Sequence, residues 1–379
     1  MQRVLVTGGA GFIGSSLASA LLHSEKNYHV TVLDNLSRGR LENISQLLEL
    51  PSFEFVNEDL LDYSNSNGQK ASDLQKIVDK SDIIFHLAAN PDVEIGTEDT
   101  CIDFQQNVQA TYNLLESVRK SQLAGDYEKT RNKKRLIFTS SSTVYGRADK
   151  RPTPENYSPL YPISLYGSTK LAGEAIISGY CHMFGIYCVV ARLANIIGPT
   201  STHGVIYDLI RKLTSHPEFL DILGNGQQDK SYLYIDDCVS ALMLLSDWIQ
   251  TNSGSVNETN ERVPLENSAS ESGPRYNKKS YEPQFQVFNI GSDDTITVLQ
   301  IAQIVMEQLS LGSKEVKIVF KNNFEDGRGW KGDVTDFWLD CSKLKDIGWK
   351  PKYSRSKNAV LRACEEYIKQ GKCRASSIG

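Results

Sequence analysis

A short apolar run, three spaced glycines and a helical pattern open this chain, and they constrain its fold more than any other stretch. Arg3-Val4-Leu5-Val6-Thr7 reads as a buried strand. Gly8-Gly9-Ala10-Gly11-Phe12-Ile13-Gly14 follows, and Ser15 to Leu22 is helical in pattern. Strand, glycine turn and helix in that order begin a unit that binds a dinucleotide. Gly8 permits the tight turn. Gly11 lets the backbone approach a pyrophosphate, whose charge the helix N-terminus favours, and Gly14 allows close helix–strand packing. His29-Val30-Thr31-Val32-Leu33-Asp34 is a second strand ending in an acid, about 20 residues on, where a carboxylate takes the adenosine ribose hydroxyls. That charge repels a 2'-phosphate and favours NAD over NADP, although Arg38 and Arg40 follow.

Strands and helices keep alternating to about residue 200. Phe53 to Asn57 is a third strand, and Asp82 to Ala89 a fourth that runs into small residues, Leu87-Ala88-Ala89, which leave room for a cofactor. His86 reads as a packed strand-end histidine rather than a base. A helical pattern from Asp99 to Lys120 contains Asn107, and Ala124 to Arg135 reads as a polar loop. Arg135 to Thr139 is a strand with a hydroxyl cluster, Ser140 to Gly146, at its end, and Ile186 to Arg192 is the sixth. The alternation implies a doubly wound parallel sheet of Rossmann type, with ligands at the carboxyl ends of its strands. Hydroxyls there can hydrogen-bond a substrate oxygen.

Tyr166 and Lys170 are four residues apart in a stretch that predicts a helix from about Ser164, so both side chains share one face. An ammonium beside a phenol favours the phenolate and lowers its pKa, which suits removal of a proton from a sugar hydroxyl.

The dinucleotide domain is expected over 1–200, with segments near 232–248 and 286–291 returning to it. Residues 201–379 then form mainly a smaller α/β substrate-binding domain. Asp236 is expected to N-cap a helix to about Trp248, and Val298 to Leu309 is another helix. Residues 251–284 are rich in Asn, Ser, Glu and Lys and read as a flexible surface insertion. With a net charge of -5 the chain has no basic field for nucleic acid or anionic lipid. Its seven cysteines show no CxxC and no metal-ligand spacing, so reduced thiols, no metal and a cytoplasmic location are expected. No apolar run reaches the roughly 20 residues that span a bilayer.

Taken together, Thr7 to Gly14, Leu87-Ala88-Ala89, Ser140 to Gly146, Tyr166-Gly167-Ser168-Thr169-Lys170, Arg192-Leu193-Ala194-Asn195 and Gly332-Asp333 resemble the extended short-chain dehydrogenase/reductases. Among these the chain is similar to the NAD-dependent epimerase/dehydratase family, nearest its UDP-glucose 4-epimerase-like members, over nearly all of its length except 251–284. The resemblance implies Tyr166 as catalytic base, Lys170 as the lysine that tunes it and holds the nicotinamide ribose, and Ser141 as the catalytic hydroxyl four before Tyr145. It implies NAD contacts at Gly8, Gly11, Phe12, Ile13, Gly14, Asp34, Asn35, Asp59, Leu60, Leu87, Ala88, Ala89, Asn107, Tyr166 and Lys170. Substrate contacts are implied at Ser142, Thr143, Asn195, Lys230, Arg328, Asp333 and Phe337.

Some positions depart from the family's pattern. Trp330 stands where an arginine is usual, with Arg328 or Lys331 as the candidates to replace it. Lys230 stands for a second arginine, and Pro91-Asp92 for a cofactor-binding lysine. The implied reaction is reversible inversion at C4 of a nucleotide hexose, with UDP-glucose and UDP-galactose as the pair. The runner-up is a 4,6-dehydratase or another nucleotide-sugar enzyme of the family. A dehydratase would carry Asp-Glu where Ser142 and Thr143 stand. A non-catalytic NAD-binding regulator is the reading outside enzymes. Relatives also imply a homodimer through the helices at 99–120 and 164–184.

Overall fold

Among the residues that the computed structural model describes (1–65, 69–93, 95–124, 134–252, 284–311, 316–321 and 324–370), seven strands form one sheet. They are β1 (Gln2–Thr7), β2 (Tyr28–Asp34), β3 (Phe53–Asn57), β4 (Ile83–His86), β5 (Arg135–Ser141), β6 (Tyr187–Leu193) and β7 (Phe285–Ile290). Their order is β7-β6-β5-β4-β1-β2-β3, with every neighbour parallel. This is a Rossmann-like α/β fold. The strand order turns back between β1 and β4, which places a crevice at their carboxyl ends.

Both faces of the sheet are buried, which is why its strands read as continuous apolar runs rather than alternating ones. Val4, Val6, Val30 and Val32 face helix α1 (Phe12–Leu22), through Leu17 and Leu21, and helix α4 (Ile235–Asn252), through Leu242 and Leu245. Leu5, Leu33, Ile84 and Leu136 face the other way, onto α2 (Ala110–Ala124) and α3 (Leu165–Phe184), through Leu114, Val118 and Ile177. β7 adds to the edge of β6 although nearly a hundred residues separate the two in sequence. The later part of the chain makes smaller sheets. Asn195–Ile197 pairs with Tyr232–Tyr234, Phe219–Leu223 with Lys317–Lys321, and Asp229–Lys230 lies between Ile296–Thr297 and Asp336–Phe337.

Two local expectations change. The 99–120 helix is broken: Thr100–Asp103 gives way to a π-helical stretch, Phe104–Gln109, before α2 begins at Ala110. Helix α4 starts at Ile235, so Asp236 lies in its first turn, while the neighbouring Asp237 carboxylate accepts from Lys352 N and Tyr353 N at 2.6 and 2.8 Å. Of the expected insertion, Thr251 and Asn252 end α4, and 253–283 lie outside the described residues, as do 125–133 of the polar loop. Cys181, Cys188, Cys238, Cys341 and Cys364 are buried free thiols, and Cys101 is an exposed one. Among the described residues no helix is long and apolar enough to cross a membrane, and no metal-binding cluster is present.

Candidate active site

The glycine turn after β1 is packed to its limit. Gly8 has φ of 70°, and a Cβ there would lie 2.7 Å from Ala88 N, so the Leu87-Ala88 backbone after β4 seats directly on it. A Cβ on Gly14 would lie 2.2 Å from the Gly8 carbonyl oxygen, which forces glycine where α1 meets the turn. At Gly11 the direction is nearly open, with only the Gly8 oxygen within 4 Å, at 3.2 Å. No side chain caps α1, so its first N–H groups are left for an anion. A cradle that a Cβ would fill, open on its ligand side and opposite a strand-end carboxylate, fits NAD.

That carboxylate, Asp34, is buried at the end of β2. It accepts from Ala10 N at 2.9 Å and Leu36 N at 2.8 Å, which ties the glycine turn to the ribose end of the crevice. Burial pushes its pKa up, and the two backbone donors hold it down. Beyond it, the Asn35 side-chain amide donates to Asp59 at 2.7 Å, and Asp59 also accepts from Leu61 N at 2.9 Å. Leu60 is buried beside them. Phe12 and Ile13, which open α1, are partly buried against the core.

Behind the turn, His86 is sealed between Thr7 Oγ1 at 2.7 Å and Thr111 Oγ1 at 2.9 Å. Thr111 donates its own proton to Asn107 O at 2.6 Å, so it accepts from His86 Nε2–H, and Nδ1 accepts from Thr7. Burial, with Lys170 nearby, lowers the His86 pKa to about 3. It is a neutral structural histidine, as expected.

Ser164 N-caps the helix that carries Tyr166 and Lys170, its hydroxyl accepting from Gly167 N at 3.1 Å. Gly167 brings the helix against the turn after β5, where a Cβ would lie 2.9 Å from Thr143 O. Ser141 ends β5 and caps that turn. Its Oγ accepts from Thr143 N at 3.2 Å and Thr143 Oγ1 at 3.0 Å, and it hydrogen-bonds the Tyr166 phenol. Ser142 is buried next to it. Lys170 is buried, donates to Thr139 O at 2.9 Å, and lies 6.0 Å from the Tyr166 ring centroid. Burial lowers its pKa to about 8 against the raising effects of Glu174 and Asp103. The expected direction for the phenol is reversed: burial pushes Tyr166 up to about 12, with Asp103 adding to the rise and the Ser141 hydrogen bond opposing it. Helical spacing brings the ammonium near, but the depth of the hydroxyl outweighs it.

Sequence reasoning named Asn107 as an NAD contact but missed its bracing role and the other polar groups that hold this arrangement. Asn107 sits in the π-helical stretch, accepts from Asn90 N at 2.8 Å and donates to Thr169 Oγ1 at 2.9 Å, on α3 between Tyr166 and Lys170. The Asn90 side chain in turn donates to Asp103 at 2.9 Å. On the other side Glu174 accepts from Ser140 Oγ at 2.5 Å and from Arg192 at 3.0 and 2.7 Å, locking α3 to β5 and β6. The only sequence signal for Glu174 was its place two turns beyond Tyr166 on the same face. A π-helical turn has no such signal.

The expected substrate residues gather from the later part of the chain. Asn195 hydrogen-bonds Tyr232 on the neighbouring short strand. Lys230 donates to Asp333 at 2.6 Å, inside the protein, and Asp333 accepts a second bond from Gly329 N at 3.1 Å. The Trp330 ring lies 5.2 Å from the Lys230 ammonium. Phe337 is partly buried one strand from Lys230. Arg328 pairs with Asp326, which Arg147 also binds, and Lys331 is exposed.

Comparison with known proteins agrees with this geometry. Residues 4–257 match the NAD dependent epimerase/dehydratase family. An uncharacterized UDP-glucose epimerase of Bacillus subtilis is 32% identical over 91% of this chain and 92% of its own length. A UDP-galactose 4-epimerase of known structure is 36% identical, with a TM-score of 0.73 over 97% of this chain and 99% of the other. The UDP-glucuronic acid 4-epimerase of Bacillus cereus, solved with UDP-glucuronic acid and NAD, is 27% identical, with a TM-score of 0.74 over 97% and 99%. With a glycine cradle and strand-end acid that fit NAD, and a match covering the whole sheet up to β6, this chain belongs to the NAD dependent epimerase/dehydratase family.

Proposed function

We propose that the protein is a nucleotide-sugar 4-epimerase, interconverting UDP-glucose and UDP-galactose through a 4-keto sugar. The observation that carries this reading is the turn after β5. Ser141 bonds the Tyr166 phenol, while the two following positions are the hydroxyl residues Ser142 and Thr143 rather than carboxylic acids. The site thus holds one acid–base group and hydroxyl donors for one sugar oxygen. It has no second acid pair at that turn to expel water across C5 and C6.

Tyr166, as the phenolate, takes the proton of the C4 hydroxyl, and Ser141 donates to the same oxygen as it becomes a carbonyl. NAD, which the Gly8–Gly14 turn and Asp34 would hold, would supply the hydride acceptor and donor for C4. Tyr166 then gives the proton back. Lys170, fixed on Thr139 O, holds a positive charge beside the phenol and the nicotinamide ribose. Asp34 takes the adenosine ribose, with Asn35, Asp59 and Leu60 beside the adenine. Asn195, Lys230, Arg328, Asp333 and Phe337 form the nucleotide and sugar contacts. A second copy of the chain packs on the α2–α3 face, where Tyr112 is 44% and Met183 75% exposed.

The test is incubation of the NAD-loaded protein with UDP-, GDP- and dTDP-sugars, with products resolved by NMR. Interconversion of UDP-glucose and UDP-galactose without loss of the C4 hydrogen to solvent is expected. A 4-keto-6-deoxy product or a pentose would replace this reading.

A further inference from the structure

We propose that Asp103 is a positioning residue that sets the ionisation of the Tyr166–Lys170 pair, a role that rests on the reading of that pair as the acid–base group. Asp103 ends the short helix Thr100–Asp103, which packs on α3. No part of it reaches solvent. Its Oδ1 accepts from the Asn90 side chain at 2.9 Å, while Oδ2 has no hydrogen-bond partner among the described residues. A Cβ on Gly96 would lie 2.1 Å from that oxygen, so a glycine closes over the carboxylate.

A buried carboxylate with one protein hydrogen bond is costly unless a charge compensates it. Lys170, on the helix against which Thr100–Asp103 packs, supplies part of that compensation. Burial pushes Asp103 up and so does Asp92 in the loop after β4, whereas Asn90 and Lys170 hold it down. In return Asp103, with Glu174, keeps Lys170 charged against burial.

Among the described residues, few groups face the pair. Glu174 lies on α3 itself and is already paired with Arg192 of β6. His86 on β4 is neutral, Ser141 on β5 carries no charge, and Asp103 faces from the short helix. With two cations and two anions the cluster is neutral while Tyr166 keeps its proton. Losing a proton leaves it one charge negative, and Asp103 opposes that loss from either member. Asp103 also acts mechanically, because it orients the Asn90 side chain whose backbone N–H holds Asn107, and Asn107 holds Thr169 on the catalytic helix.

Asp103→Asn keeps the shape and removes the charge. The acid limb of the pH profile of kcat/KM should move down by about one pH unit, because the first proton then leaves the pair more easily. Asp103→Glu should leave the limb in place, and a limb that moves there as far as in Asp103→Asn also overturns the proposal. An unmoved or raised limb in Asp103→Asn overturns the proposal. A second measurement needs no turnover. In protein labelled with ¹³C at aspartate carboxyls, the Asp103 signal, assigned by its absence in Asp103→Glu, should titrate at higher pH in Lys170→Met. An unchanged midpoint refutes the coupling. A raised midpoint in a protein that converts no nucleotide sugar upholds it and removes the catalytic reading instead.

Discussion

At the carboxyl end of β5, Lys170 gives its ammonium to the Thr139 carbonyl and, among the described residues, forms no direct ion pair. Past β6, Lys230 gives its ammonium to the Asp333 carboxylate inside the protein. The two buried lysines therefore do different things. The charge of Lys170 is held in place but left available to a neighbouring phenol. The charge of Lys230 is largely spent on Asp333, with Trp330 against it, and Lys230 gives a bound anion no two-armed fork of the kind an arginine supplies. On the proposed function, the first region performs proton transfer on whatever sugar is presented, and the second decides what is presented.

Breaking the first region should have the largest effect. Tyr166→Phe should lower turnover by about 10⁴-fold, with melting temperature and NAD binding retained. Activity within a few per cent of the native protein would take the base away from Tyr166. Ser141→Ala should cost about 10²-fold in kcat, the scale of one positioned hydrogen bond. Next comes the scaffold beneath it. Glu174 and Arg192 are each only 5% exposed in their side chains, so Glu174→Gln leaves a buried guanidinium unpaired and should destabilise by about 4 kcal/mol in urea melts. A melt within experimental error of the native one would show that α3 is held to the sheet some other way.

The second region should respond differently. Lys230→Met strands the Asp333 carboxylate and should cost about 3 kcal/mol of stability. KM for the nucleotide sugar should rise while kcat stays near its native value. A fall in kcat alone would place Lys230 with the chemistry instead. Between the two regions lies the cofactor preference. Asp34, buried and fixed by two backbone donors, has no freedom to turn away from a 2'-phosphate. NAD should therefore bind about a hundredfold more tightly than NADP, a difference of about 2.7 kcal/mol. Thermal shifts at matched concentrations measure it, and equal protection by the two dinucleotides would show that Arg38 and Arg40 compensate.

What was legible in the sequence divides along the same line. The glycine turn, the acid that ends β2, the helix start near Ser164 and the Tyr166–Lys170 face are local patterns, read within one element or across one turn. The Asn90–Asp103–Asn107–Thr169 brace joins three segments, and its last bond spans 62 residues through a π-helical stretch that helical periodicity does not announce. Lys230 and Asp333 are 103 residues apart, so each could be seen as a candidate contact but not as the other's partner. The direction of the Tyr166 shift failed for a related reason. Spacing shows which charge is near, while burial depends on everything packed around the hydroxyl.

The smallest effect and the sharpest discrimination are expected at Phe337. Its strand, Asp336–Phe337, pairs with Asp229–Lys230, and Phe337 is the register partner of Lys230. Its carbonyl accepts from Ser231 N at 3.2 Å, which fixes the backbone, while its ring is partly buried against the core beside the Lys230–Asp333 pair. Counted from Gly332-Asp333, this is the position that, by the family resemblance, we propose bounds the C2 side of a bound hexose. A phenyl ring fills the space an acetamido group needs, so UDP-glucose should be preferred over UDP-N-acetylglucosamine. Phe337→Ser removes the ring without touching Tyr166, Ser141 or Lys170. It should raise kcat/KM for the N-acetyl sugar about tenfold, the scale of a few methylenes of pocket volume, and change that for UDP-glucose little. Equal native rates on the two sugars, or no gain for the N-acetyl sugar in the variant, would leave Phe337 a core aromatic and move the boundary of the sugar pocket elsewhere.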